Sequence, residues 1–358
     1  MSVSRRKLLG SVVAAGCALQ SGRAFALSTQ VVQDAADAFA NSHDFNGVIA
    51  FAVAGRQTMA QTYGFSDVRS RNPATSNSAY AIGSISKWFT AVLVLRLIEM
   101  GTLSLDTPLS TLLPEFPESG RRVTLNHLLS NTSGLPDLLM TAAKADSSLR
   151  TSTAAARDIV NRFAPLETKF EPGSQFDYAF MNWVIIRAVI EAQTGAKFED
   201  LVQKLLFEPA GIKNTGIATR GFEGVPGLVP AFDGPTTQAN LDMTTCYGYG
   251  AASGTFYSTA SDLIAFADHV MSGALLSPES RSNLMTIRYQ DQRYALGGRV
   301  RQGPLGPVAW ETGAVGGYKT LLAYRPTDRR SVVVLSNTDL SQDDINVFAE
   351  SIFELQAV

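Results

Sequence analysis

Two features of the sequence predict an α+β fold in which one antiparallel sheet is assembled from N- and C-terminal segments and flanked by helices, with an inserted helical lobe at about residues 85–270. Strand-like segments lie near both ends, and the stretch between them is mostly helical in pattern. A third, the absence of any Pro/Ser linker, charge run or repeat, argues that the 358 residues form one structural unit. A hydrophobic content of 45% allows a large core, while 17% charged residues and a net charge of −2 give no bias toward nucleic acid.

Residues 1–26 read as targeting rather than fold, leaving 27–358 as the folded domain. Ser4-Arg5-Arg6-Lys7 precedes an apolar run from Leu8 to about Leu19, then Ala24-Phe25-Ala26, the pattern of a signal peptide cleaved near Ala26. The paired arginines favour the twin-arginine route, and the run is shorter than the roughly 20 residues of a membrane span. A periplasmic or secreted protein without a stable span is expected. A retained anchor and lipidation at Cys17 stay open as alternatives. Cleavage leaves Cys246 alone, so no intramolecular disulfide is expected, and Cys246 reads as a packed residue.

Val31–Ala40 has the pattern of a short amphipathic helix. Val48–Ala54 and Thr58–Tyr63 flank Gly55-Arg56 as a hairpin. Trp88–Met100, Val123–Leu129, Asn182–Thr194, Leu201–Leu206 and Asp262–Met271 supply the helices of the lobe, and the Gly/Pro-rich run Gly221–Pro235 is expected to be a surface loop lining or covering a cleft. Strands then return at Tyr294–Val300, Val308–Glu311, Tyr318–Tyr324 and Ser331–Leu335, and Val347–Leu355 closes the chain as a helix.

The sharpest chemical signal is Gly83-Ser84-Ile85-Ser86-Lys87, where a polar turn gives way to the apolar stretch Trp88–Leu95. Three residues on a helix return Lys87 to the face of Ser84, and a helix N-terminus favours developing negative charge. A lysine among apolar residues loses hydration, which lowers its pKa and lets it take a serine proton without a histidine. Alone, Ser-x-x-Lys describes equally a serine cap followed by a snorkelling lysine. The three histidines, His43, His127 and His269, show no metal-ligand spacing. No phosphate loop or dinucleotide fingerprint occurs, so neither metal nor cofactor is expected.

From about residue 30 to 356 the sequence resembles the penicillin-recognising serine hydrolases: class C β-lactamases, D-Ala-D-Ala carboxypeptidases and related esterases and amidases. The matching segments run in order. They are Phe45-Asn46-Gly47-Val48, Ala81–Leu97, Gly101–Pro108, Val123–Pro136, Phe207–Ile212, Tyr257–Leu263 and Glu311–Tyr318. The resemblance implies the β-lactamase/transpeptidase-like fold, with Ser84 as nucleophile and Lys87 as its activating partner. It also makes Tyr178 a general base and acid, standing where the family has Tyr-x-Asn.

Two positions depart from the family pattern. Phe180 stands where that asparagine would hold the lysine and bind a substrate carbonyl, which weighs against amide and β-lactam recognition. Glu311-Thr312-Gly313 replaces Lys-Thr-Gly or His-Thr-Gly, so the charge at the position that meets a substrate carboxylate is reversed. Unpaired in the cleft, Glu311 would repel a carboxylate by about 4 kcal/mol at 4 Å and an effective dielectric near 20. A neutral or cationic substrate group is therefore expected there, unless Glu311 pairs with Arg299 or Arg301 or points away. Thr312 and Gly313 are retained, and by resemblance the N–H groups of Ser84 and Ala314 form the oxyanion hole. The expected activity is hydrolysis of a small-molecule or peptide ester or amide. β-Lactamase or D,D-carboxypeptidase activity is the first alternative, and a non-catalytic ligand-binding homologue the second.

Overall fold

The structure is a computed structural model that describes residues 29–233, 237–238 and 248–355. The targeting segment, Cys17 and Cys246 lie outside the described residues. A helix over residues 29–42 (α1) leads into β1 (Gly47–Val53) and β2 (Arg56–Tyr63). The C-terminal part supplies β3 (Arg299–Gly303), β4 (Gly306–Val315), β5 (Tyr318–Arg325), β6 (Arg330–Ser336) and the closing helix α5 (Gln342–Glu354). Between them run the longer helices α2 (Ile85–Glu99), α3 (Phe180–Thr194) and α4 (Ala260–Ser272).

The six strands form one antiparallel sheet in the order β3-β4-β5-β6-β1-β2. The junction is the pairing of β1 with β6, from Gly47 opposite Ser336 to Val53 opposite Arg330. The sheet is thus built from the two ends of the chain, with the helical lobe between them.

Side chains alternate across each strand, so the sheet feeds two cores. Ile49, Phe51, Trp310, Leu321, Val332 and Val334 join α1 and α5 on one face. Val48, Ala50, Leu322, Val333 and Leu335 join α2 and α4 on the other. Almost every residue of α2 is buried, which marks it as a helix threaded through the core rather than an amphipathic surface helix. Its Phe89 stacks on Phe266 of α4 with ring centres 3.8 Å apart.

The expected strand Tyr294–Val300 is displaced: the strand is Arg299–Gly303, and Tyr294 makes only isolated bridges to Tyr289 and Arg299. The reason is Gly297, where a Cβ would sit 2.5 Å from the Lys87 carbonyl oxygen. The chain there passes flush against α2 and cannot yet pair. The described part of Gly221–Pro235 is mostly loop with Glu223, Gly224, Pro226 and Gly227 exposed, as expected, but it is also anchored to the core. Phe222, Val229, Ala231 and Phe232 are buried, and Phe232 N–H donates to the Asn337 carbonyl at 2.8 Å. Helices at Leu138–Ala145, Ala156–Phe163 and Pro278–Met285 add to those expected. Among the described residues no helix is long and apolar enough to cross a membrane, and no group of three or more His, Cys, Asp or Glu is placed to hold a metal.

Candidate active site

Ser84 caps the N-terminus of α2 with Gly83 before it at φ +50°. A Cβ on Gly83 would fall 2.8 Å from the Ala314 nitrogen, so glycine is what lets β4 run directly past the serine. Gly313 is as tightly held, since a Cβ there would meet the Ile82 carbonyl oxygen at 2.0 Å. One helical turn beyond Ser84, Lys87 Nζ donates to Ser84 Oγ at 3.0 Å. Tyr178, just before α3, donates its hydroxyl to the same oxygen at 2.9 Å.

Lys87 is 4% exposed. Its second hydrogen bond, 2.6 Å long, goes to the backbone carbonyl of Ser253, and its nitrogen lies 5.1 Å and 5.6 Å from the ring centres of Tyr178 and Trp183. The segment carrying Ser253 is fastened to α2 by side chains that point away from the site. Thr90 Oγ1 donates to the Ala252 carbonyl at 2.8 Å, and Ser86 Oγ accepts from Phe256 N–H at 3.2 Å. The run Gly250–Gly254, built of small residues, lets this backbone come so close.

Two further residues hold Tyr178. Tyr294, fully buried, packs edge-on to the Tyr178 ring with centres 6.3 Å apart. Burial pushes the Tyr294 phenol well above its ordinary range, with the Tyr178 and Glu311 charges acting in the same direction. Asp137 fixes the backbone two residues on: its Oδ2 accepts from Phe180 N–H at 2.6 Å and Met181 N–H at 3.2 Å.

Next to Ser84 opens a cavity of about 160 Å³ whose lining includes Lys87, Phe180, Ser253, Ala314, Met140 and Arg150. Ser84 and Ala314 reach it from α2 and β4, the two elements whose N–H groups would have to converge on a developing oxyanion.

A family model described as Beta-lactamase matches residues 32–354. The chain belongs to the beta-lactamase family. It is 28% identical over 316 residues to a penicillin-binding protein of Bacillus subtilis (strain 168), covering 83% of this chain and 69% of that one. It is 32% identical over 197 residues to a D-aminopeptidase of Brucella anthropi, covering 52% of this chain but only 37% of the other. The solved structure of a penicillin-binding protein from Bacillus halodurans superposes with a TM-score of 0.76 at 23% identity, covering 88% of this chain and 98% of that one, which supports the fold. In this beta-lactamase-family chain Ser84, Lys87 and Tyr178 meet at one oxygen.

Glu311 departs from the position its sequence implies. Its side chain is 3% exposed on the α2 side of the sheet and is not among the described residues lining the cavity, nor is Thr312. Burial raises its carboxyl to about 8, against the lowering pull of Arg299 and Lys87, so it is protonated at neutral pH. Neither expected arginine forms an ion pair with it: Arg301 pairs with Glu350, and Arg299 lies over the Tyr294 ring at 5.2 Å. A neutral, buried acid exerts no repulsion on a substrate carboxylate, so the expectation of a neutral or cationic substrate group loses its basis.

Phe180 lines the cavity without a polar contact to Lys87, which is held by the Ser253 carbonyl at 2.6 Å. Sequence reasoning missed Ser253, Asp137 and Tyr294. The small-residue run around Ser253 was the one available signal. His127 completes a capping box with Thr124 at the helix Leu125–Leu129, and burial lowers its pKa. His43, just after α1, reaches Asp344 of α5 at 3.7 Å.

Proposed function

We propose that this chain is an exported serine hydrolase that cleaves an ester or amide through an acyl-enzyme on Ser84. The observation that carries the proposal is the double contact on Ser84 Oγ, with Lys87 Nζ at 3.0 Å and Tyr178 OH at 2.9 Å. On attack, Oγ bonds to the substrate carbonyl carbon and its proton passes to the Lys87–Tyr178 pair. The carbonyl oxygen takes the negative charge beside the N–H groups of Ser84 and Ala314, each such donor being worth about 10²- to 10³-fold in rate. Collapse expels the leaving group, which takes that proton. Water then attacks the acyl ester and gives up a proton to the same pair; the bond from the acyl carbon to Oγ breaks, Oγ takes that proton back, and the acid leaves.

The apolar wall formed by Met140, Phe180 and Val315 supports a small acyl group without fixing the bond cleaved. Export rests on the Arg5-Arg6 leader with cleavage near Ala26. The test is intact-mass spectrometry of the mature protein after separate incubation with a fluorophosphonate, a penicillin and short-chain 4-nitrophenyl esters, with Ser84→Ala as control. A Ser84-dependent phosphonate adduct with ester turnover is expected. A lasting penicillin adduct would favour the β-lactamase or D,D-carboxypeptidase alternative, and no adduct from any reagent would leave a ligand-binding homologue.

A further inference from the structure

Arg150 is a cation in the wall of the Ser84 cavity to which the proposed chemistry gives no task. It sits in the short 3-10 helix Ser147–Thr151, outside every segment that carries the family resemblance. Among the described residues no acid pairs with it, although Asp146 and Asp137 lie in the same stretch of chain. Asp146 caps Ser148 and Asp137 caps two helices. The segment is also anchored. Leu149 is 5% exposed, its carbonyl accepts from the Tyr249 hydroxyl at 2.5 Å, and a Cβ on Gly248 would approach the Ser152 carbonyl oxygen to 2.7 Å. The guanidinium is therefore carried on a fixed base rather than on a loose loop.

Among the described residues the rest of the cavity has no answering acid. Its described lining contains no Asp or Glu, and Lys87 is engaged by Ser84 Oγ and the Ser253 carbonyl. Glu311, the acid at the position where related enzymes carry a cation, is buried and neutral. We propose that Arg150 is a specificity-determining residue that receives a carboxylate of the substrate, so that the enzyme prefers anionic esters or amides. A guanidinium offers two parallel donors to a carboxylate, a planar match that a point cation lacks. Recognition thereby moves from strand β4 to the helical lobe.

This rests on the hydrolase reading above, and the test separates the two. The mature protein, Arg150→Met and Arg150→Lys are assayed on mono-4-nitrophenyl adipate and suberate against the same esters capped as methyl esters, and on 4-carboxyphenyl hexanoate against phenyl hexanoate. Fluorophosphonate labelling of Ser84 is followed in parallel. The expected result is that Arg150→Met lowers the anionic-to-neutral ratio of kcat/KM at least tenfold in one of these pairs, with Arg150→Lys recovering part of it. The wild-type ratio should also fall as salt rises. The pair that responds tells whether the carboxylate lies on the acyl or the leaving-group side. Full labelling of Ser84 with ratios unmoved in every pair overturns the role of Arg150. Absent labelling in the wild type overturns the hydrolase reading itself.

Discussion

At the scale of single residues, Glu311 has a consequence for stability that its chemistry dictates. Burial raises its carboxyl from 4.5 to about 8, so between those values the fold holds a proton that the unfolded chain has released. Stability from that proton is whole below about pH 4.5 and is lost as the pH climbs through 8, at up to about 1.4 kcal/mol per unit. Glu311→Gln keeps the shape and cannot ionise. Urea unfolding at pH 5, 6.5 and 8 should show the wild type losing on the order of 3 kcal/mol relative to Glu311→Gln across that range. Parallel curves for the two proteins would mean the carboxyl titrates normally. Among site residues, those tied by local geometry were legible in the sequence: Ser84 and Lys87 are neighbours because i and i+3 share a helix face. Tyr178 meets Ser84 across 94 positions, a contact read only through the family resemblance. Ser253 acts through a backbone carbonyl, which leaves no side-chain signature, and the sequence of β4 left open whether Glu311 meets the cleft or points away from it, which only its burial beneath the sheet decides.

At the scale of elements, one carboxylate organises two helices. Asp137 Oδ1 accepts from Met140 N–H at 3.0 Å, capping Leu138–Ala145, while Oδ2 takes the first N–H groups of α3. These amides would otherwise be unpaired helix-start donors, and the negative charge also suits both helix dipoles. Tyr178 lies two residues before Phe180, so loosening α3 moves the phenol that touches Ser84. Asp137→Ala should cost about 2 kcal/mol of stability and lower kcat more than it raises KM, while Asp137→Asn, whose amide oxygen still accepts, should retain part of both. Thermal melts and steady-state kinetics on one ester check this. A melting shift without a change in kcat would confine Asp137 to scaffolding. Such long-range caps explain why element existence was easier to read than placement. Strand β3 slid from Tyr294–Val300 to Arg299–Gly303 because Gly297 had to pass α2, a tertiary contact invisible to periodicity.

At the scale of the molecule, the sheet divides the core in two and leaves the Ser84 site on one side only. Its central strand β6 pairs with β1 across nearly the whole chain, so the sheet is complete only once distant ends have met. One face then carries α2 and the proposed catalytic groups, and the other is covered by α1 and α5. Phe348 of α5 is 6% exposed and stacks on Phe39 of α1 with ring centres 4.7 Å apart, on the face away from Ser84. Truncating it opens a cavity between the terminal helices and the sheet without touching the reacting groups. Phe348→Ala should therefore lower stability by about 3 kcal/mol, read as a lower urea midpoint. In the folded protein at low temperature its kcat should stay within about twofold of wild type, because the rigid β6 and β5 lie between the cavity and the site. A tenfold fall in kcat with the midpoint unmoved would show instead that the terminal helices tune the active site through the sheet.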